Sequence, residues 1–216
     1  MTAQQQTAAP PRAGLRRFLA PAPEAPEQCE LCGRQLPGEH RHLADTEQRA
    51  LACACDACAV LFTRPGAVGG RFRTVPDRYL ADPGPGLDED TWQRLRIPVS
   101  VVFFFRNAAL DRPVALYPSP AGATESELDP EAWQAIEAAT PLAASLAPDV
   151  EALLVRRSAS RGECFLVPID DCYQLVGRMR LHWQGFDGGS TARADLDAFF
   201  DQVAARARLP RKDEQR

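Results

Sequence analysis

Four cysteines near the N-terminus have the spacing of a zinc site. Cys29 and Cys32 form one C-x-x-C pair, Cys55 and Cys58 form a second, and 22 residues separate the two pairs. A C-x-x-C turn directs two thiolates at one point, and a tetrahedral Zn²⁺ ion takes four ligands, with each sulfur about 2.3 Å away. The spacing therefore predicts a structural zinc site that uses all four thiolates.

Three further metal-binding side chains lie between the pairs. His40 and His42 are two positions apart, and Cys53 precedes Cys55 by two. Because side chains two apart on a strand share a face, all three could serve as additional ligands. Such a site would also suit iron or nickel, which accept thiolate and imidazole. In the alternative interpretation, Cys53 is a small buried apolar residue. The histidines then lie at the surface, or they hydrogen-bond the metal ligands without binding the metal themselves.

A third group that could do chemistry is P-I-D-D-C-Y, at residues 168–173. Asp170 and Asp171, beside a thiol and a phenol, could form the acid–base site of a small enzyme. Two carboxylates are also common in the first turn of a helix, and the sequence favours this simpler interpretation. We therefore assign no catalytic residue, and the sequence favours a protein that is not an enzyme over one that is.

The residues around the cysteine pairs predict a small module. Short strands are expected at 40–43 and 49–54, and a helix is expected to begin just after Cys55. Gly33 follows the first pair, where a tight turn needs a positive φ. The order of turn, hairpin and ligands at a helix start is similar to that of treble-clef zinc fingers, in which the helix dipole also favours thiolate.

The second half of the chain repeats one strand plan. Residues rich in β-branched and aromatic side chains predict four strands, at 99–105, 113–117, 150–155 and 163–167. The later two strands follow the earlier two at an offset of 50 residues, so that Pro98 matches Pro148. This indicates two hairpins in one mostly antiparallel sheet, built from a duplicated unit.

Helices and one loop complete this region. Asp129 followed by Pro130 predicts a helix start, and an apolar stripe predicts a helix from Ile169 through Trp183. Small residues at 118–124 predict a loop. The fold class expected is α+β, with a small treble-clef-like zinc module followed by a mostly antiparallel sheet with helices.

The expected domain organisation has five parts. They are a disordered tail at 1–27, a zinc-finger-like module at 28–63, a linker with a short strand at 64–87, an α+β domain at 88–206, and a charged tail at 207–216.

The net charge and the hydropathy of the chain disfavour two classes of protein, those that bind nucleic acids and those that span membranes. The formal net charge of the 216 residues is −4, which disfavours a nucleic-acid partner. No apolar run is long enough to cross a membrane, and no apolar core follows the N-terminus as in a secretory signal. We expect a cytoplasmic protein with no membrane partner, in which clustered cysteines favour metal over disulfides.

Several segments together resemble a known family. They are C-E-L-C-G, E-H-R-H-L, C-A-C-D-A-C-A-V-L-F, A-L-Y-P-S-P-A-G-A-T-E-S, D-V-E-A-L-L-V and V-P-I-D-D-C-Y-Q-L-V-G. Across residues 28–205 the chain resembles an uncharacterised actinobacterial family, a domain of unknown function often encoded beside uptake nickel–iron hydrogenase genes. The resemblance implies an accessory role in hydrogenase assembly or electron transfer, with hydrogenase subunits or maturation factors as partners.

Three functional hypotheses follow. The first is a non-enzymatic, metal-binding accessory protein that works through protein–protein contacts, with structural Zn²⁺ in preference to iron. The second is a redox or metal-handling protein that uses the cysteine cluster with iron or nickel. The third is a small enzyme that uses Asp170 and Asp171.

Overall fold

Two antiparallel sheets organise the chain, and helices pack around the larger one. The structure is a computed structural model that describes residues 26–64, 66–157, 162–182 and 189–211. A three-stranded sheet belongs to the cysteine-rich region, and a six-stranded sheet forms the centre of the rest. Helices combined with antiparallel sheets confirm the α+β class expected from the sequence.

We call residues 28–74 the cysteine module. Its elements are three strands and a short helix: β1 (Arg41–Asp45), β2 (Ala50–Ala54), β3 (Phe72–Thr74) and α1 (Asp56–Ala59). The strand order is β2-β1-β3. Asp45 ends β1 and accepts backbone hydrogen bonds from Glu47 and Gln48, at 3.1 and 3.0 Å. These bonds tighten the turn that sets the β1–β2 register.

The six-stranded sheet has the order β4-β9-β8-β5-β6-β7. Its strands are β4 (Leu80–Ala81), β5 (Val101–Asn107), β6 (Arg112–Ser119), β7 (Gly122–Ser126), β8 (Glu151–Arg157) and β9 (Gly162–Pro168). The hairpins β5–β6 and β8–β9 lie side by side, and β5 pairs with β8. Both strands of the second hairpin begin 50 residues after their counterparts, as the sequence predicts.

Helices cover both faces of this sheet. They are α2 (Glu89–Arg94), α3 (Pro130–Ala139), α4 (Ile169–His182) and α5 (Gly189–Arg206). Alternation along β5 sends Phe103 and Phe105 toward α4 and α5, whereas Val102 and Phe104 face α2 and α3. All four side chains are at most 4% exposed, so both faces of the central strand are buried. Asp129 caps α3 as expected, by accepting a bond from the Ala132 N–H at 2.6 Å.

Two segments differ from expectation. Most of the predicted loop at 118–124 belongs instead to β6 and β7, which a tight turn at 120–121 joins; the Thr124 hydroxyl bonds Ser119 Oγ at 2.8 Å. The predicted linker at 64–87 contains β3 and β4, which join the two different sheets. Trp183, the last residue of the predicted stripe, lies outside the described residues, as do most of the predicted tails. The domain boundaries themselves stay predictions.

Buried contacts hold the cysteine module against the larger sheet. Ala44 of β1 packs into the core that α4 and α5 share with the sheet. Arg73 of β3 lies 3.6 Å from the Asp149 carboxylate. Just after β3, Arg78 pairs at 2.6 Å with Glu151, which is 1% exposed at the start of β8. These ion pairs make the segment between the sheets a packed part of the fold.

In the part of the chain that the structure describes, no helix combines the length and apolar character needed to cross a bilayer.

Candidate metal centre

The structure brings the four predicted sulfur atoms together. The Sγ atoms of Cys29, Cys32, Cys55 and Cys58 all lie within 4.8 Å of one another. Cys32 Sγ and Cys55 Sγ, which come from different pairs, are 3.8 Å apart. Two sulfurs bound to one tetrahedral zinc ion are also about 3.8 Å apart, since each Zn–S bond is about 2.3 Å long. The four-cysteine group therefore has the dimensions of a metal site, and its cysteines are free thiols.

Local backbone geometry explains how each pair is held. In the first pair, Gly33 has a φ of +73° and its N–H bonds the Cys29 carbonyl at 2.7 Å, as the sequence predicts for a tight turn. In the second pair, Cys55 occupies the N-cap of α1 in an extended conformation. Cys58 follows within that helix, so both of its thiols lie at a helix start. The turn, the hairpin and the helix occur in the expected order.

The electrostatics of the group favour a bound cation. Burial alone would raise the pKa of Cys29, but backbone N–H groups of Cys55, Cys32 and Leu31 offset this and lower that pKa to about 6. Hydrogen bonds to the Cys55 and Cys32 thiols raise the pKa of Cys58 to about 12. Without a metal, one thiolate forms readily while a neighbouring thiol keeps its proton. A divalent cation removes this conflict because it stabilises all four thiolates together.

The remaining predicted ligands form a separate group. Donor atoms of His40, His42 and Cys53 lie within 4.8 Å of one another and are distinct from the four-cysteine group. Cys53 lies directly across the β1–β2 pair from His42, and its N–H donates to Glu30 Oε1 at 2.7 Å. Burial raises the pKa of Cys53. The structure thus divides the seven predicted ligands into two adjacent groups, of four and of three.

Asp170 and Asp171 have different partners. His42 Nδ1 donates to Asp170 Oδ2 at 2.8 Å, and this bond raises the pKa of His42. Burial raises the pKa of Asp171, and the nearby Tyr79 hydroxyl lowers it in part. Cys172, beside them, is fully buried in the core beneath α4. The two carboxylates therefore stand at the start of a helix, as expected, and one of them also holds a histidine of the second group.

Sequence reasoning missed the link between His42 and Asp170. The two residues are 128 positions apart, and no local pattern connects them. It also missed the cleft that both residues line, which has a volume of about 670 Å³. The sequence offered two separate signals for this link. One was the pair of histidines, His40 and His42, two residues apart, and the other was the pair of carboxylates, Asp170 and Asp171, at a helix start.

Comparison with known proteins gives a family but no characterised relative. No curated protein and no solved structure matches the chain. A family model described as "Family of unknown function (DUF5947)" matches residues 28–207, which include both groups of candidate ligands and every strand of the described residues. Because this match covers well over half of the sequence, the chain belongs to the DUF5947 family of unknown function.

Proposed function

We propose that the protein is a non-enzymatic metal-binding accessory protein that acts through protein–protein contacts. Its treble-clef-like cysteine module holds a structural Zn²⁺ ion through Cys29, Cys32, Cys55 and Cys58. The observation that carries this proposal is the convergence of the four sulfur atoms within 4.8 Å. Four thiolates complete the tetrahedral shell of zinc and leave no open position, which is the arrangement of structural sites.

The small core of the cysteine module supports a structural role for the metal. Its buried side chains are Cys29, Leu43, Ala52, Ala54, Cys55, Ala59 and Phe62. Two of these seven are themselves cysteines of the metal group, and three are alanines. So little apolar surface rarely stabilises an independent unit, and small units of this kind commonly depend on a metal.

Exposed apolar side chains beside the metal group support a protein partner. Leu31 is 40% exposed between the first pair, and Val60 and Leu61 are 62% and 59% exposed just after α1. Leu31 precedes Cys32, and Val60 follows Cys58 by two residues, so these side chains flank cysteines whose sulfur atoms converge. Apolar patches at a surface mark contact sites more often than single side chains do. We call these three residues the apolar rim. From the family resemblance, hydrogenase subunits or maturation factors in the cytoplasm are the concrete partners.

A pull-down from the native host tests this function. The wild-type chain should enrich hydrogenase subunits or maturation factors, and Leu61→Asp should lose them because a carboxylate in an apolar contact loses its hydration. Leu181→Asp is the matched control, since Leu181 is 82% exposed on α4 and is not part of the cysteine module. Equal enrichment by both variants would show that the apolar rim is not the contact surface. If no hydrogenase component is enriched by the wild-type chain, the proposed partners are wrong.

The second candidate is a redox or metal-handling protein with iron or nickel in the cysteine cluster. The adjacent group of His40, His42 and Cys53 favours it, since spare ligands next to a thiolate site suit metal exchange. Visible absorption and metal analysis of freshly purified protein separate the two candidates. Zinc–thiolate sites are colourless, whereas an iron–thiolate site absorbs visible light and would overturn the zinc assignment.

A further inference from the structure

The group of His40, His42 and Cys53 is built by the β1–β2 hairpin. His42 lies in β1 and Cys53 lies opposite it in β2. His40 precedes β1 and its ring centroid is 4.8 Å from that of His42. One donor atom from each of the three side chains lies within 4.8 Å of the other two. Imidazole and thiolate at this separation are the ligands that zinc-class ions prefer.

Hydrogen bonds fix which ring nitrogens are available. His40 Nδ1 lies 3.0 Å from the Pro37 carbonyl oxygen, and His42 Nδ1 lies 2.8 Å from Asp170 Oδ2. A carbonyl and a carboxylate only accept hydrogen bonds, so each Nδ1 carries the proton and donates. The lone pair of each neutral ring is then on Nε2. Metal-binding histidines commonly have this arrangement, with one nitrogen on the metal and the other on a carboxylate or carbonyl.

His40 Nε2 provides an independent sign of a missing ligand. It is buried and has no hydrogen-bond partner among the described residues. The whole His40 side chain is only 6% exposed, so bulk water does not satisfy this nitrogen. Buried polar atoms in folded proteins nearly always have a partner. An ion bound at Nε2 supplies the partner that the protein does not.

We propose that His40 Nε2, His42 Nε2 and Cys53 Sγ bind a second divalent ion of the zinc class, separate from the ion of the four-cysteine group. On binding, Cys53 releases its thiol proton to solvent and becomes a thiolate. Three protein ligands leave one coordination position open, which is the pattern of reactive rather than structural zinc sites. Water or a donor atom from a ligand fills that position.

The neighbouring cleft gives the open position access to solvent. Both histidines line this cleft of about 670 Å³, together with Asp170 and Asp171. Its charged lining residues are five acids and two arginines: Glu39, Asp56, Asp77, Asp170, Asp171, Arg41 and Arg206. Since the acids outnumber the arginines, the cleft suits water or a small neutral or cationic donor and repels phosphate-rich molecules.

Zinc content of the full-length chain tests the proposal. Wild type purified with zinc should hold about two ions per chain, and His40→Ala and Cys53→Ser should each hold about one. His182→Ala is the matched histidine control, because His182 lies at the end of α4 outside both groups; it should keep both ions. Circular dichroism verifies that each variant is folded.

A Co²⁺ titration of wild type gives a second readout that needs no variant. Four thiolates produce a strong charge-transfer band, so the ion in the four-cysteine group dominates the absorption. The other ion should add a weaker band, because it has a single thiolate. A spectrum that is complete after one equivalent would overturn the second site.

The outcomes separate this site from the proposed function. If wild type holds one zinc ion and His40→Ala still holds it, the second site is wrong and the four-cysteine site stands. If wild type holds one zinc ion and His40→Ala loses it, the ion belongs to the group of His40, His42 and Cys53, and the four-cysteine site is wrong. Two ions retained in both His40→Ala and Cys53→Ser would show that the ligand set is wrong.

Discussion

His42 Nδ1 donates a hydrogen bond to Asp170 Oδ2 at 2.8 Å, across 128 positions of sequence. The bond joins β1 of the cysteine module to the first turn of α4. It orients the imidazole and fixes its proton on Nδ1, so that a change in the helix alters a ligand of the second group. Asp170 is therefore a positioning residue for that group.

Asp170→Ala should weaken zinc binding at the His40–His42–Cys53 group by about 10- to 100-fold, because the ring loses the partner that holds its tautomer and angle. Competition with a chromophoric chelator measures this affinity. Asp170→Asn retains an acceptor oxygen and should recover part of it. Asp171→Asn is the control, since Asp170 is the carboxylate that accepts the hydrogen bond from His42. An equal loss in Asp171→Asn would assign the effect to the helix start in general.

Cys32→Ser should remove the zinc of the four-cysteine group and unfold residues 29–62, while the six-stranded sheet stays folded. The reason is that the small core of the module lacks the apolar surface to hold itself together. Metal analysis with hydrogen exchange measures both effects. The buried Cys172 provides a control, because Cys172→Ala removes a thiol but no ligand. Unchanged metal content in Cys32→Ser would contradict the ligand set.

Asp45 should stabilise the fold at neutral pH but not in acid. The hydrogen bond from Arg71, helped by the Gln48 and Glu47 N–H groups, lowers the pKa of Asp45 below its ordinary value of 3.8. Because the folded pKa lies below the unfolded one, the stabilisation is complete above about pH 4 and is lost as the pH falls through the folded pKa.

Urea denaturation of wild type and Asp45→Asn checks this dependence. The difference in free energy of unfolding should be clear at about pH 7 and shrink toward about pH 3. Asp201→Asn removes an exposed carboxylate on α5 and is the control. It should follow wild type at every pH, because any loss of metal in acid affects both chains equally. A difference that stays constant with pH would exclude the charge of Asp45 as the cause.

Gly86→Ala should destabilise the fold by about 2 kcal/mol or more. Gly86 has a φ of +71°, and an added Cβ would lie 2.5 Å from the Gly162 carbonyl oxygen at the start of β9. Gly177, inside α4, is the matched control, because a Cβ there meets nothing within 4 Å. Gly177→Ala should stabilise by about 0.5–1 kcal/mol through helix propensity. Thermal unfolding distinguishes the two, and equal shifts would contradict the close approach.

The features that could be predicted from the sequence are local or periodic. The strands β5 and β8 contain the apolar runs V-V-F-F-F and A-L-L-V, and the 50-residue offset indicates their shared plan. The two C-x-x-C turns are local motifs, so the convergence of four sulfurs followed from their spacing.

The features that could not be predicted depend on distant partners. Leu80 and Ala81 form a strand only because β9 offers an edge to pair with. The division of seven ligands into two groups depends on the side to which each side chain turns across the hairpin, which residue types do not specify. Asp170 gives no local sign that it contacts His42, since the contact requires the cysteine module to pack beside α4.

The pairing of β5 with β8 has a consequence for how the chain assembles. Either hairpin alone would end in a row of unpaired backbone groups that invites association with another copy. Here the two hairpins satisfy each other, and among the described strands of this sheet the short β4 and the five-residue β7 lie at the edges. A single polypeptide thus satisfies internally an edge that either hairpin alone would offer to a second copy.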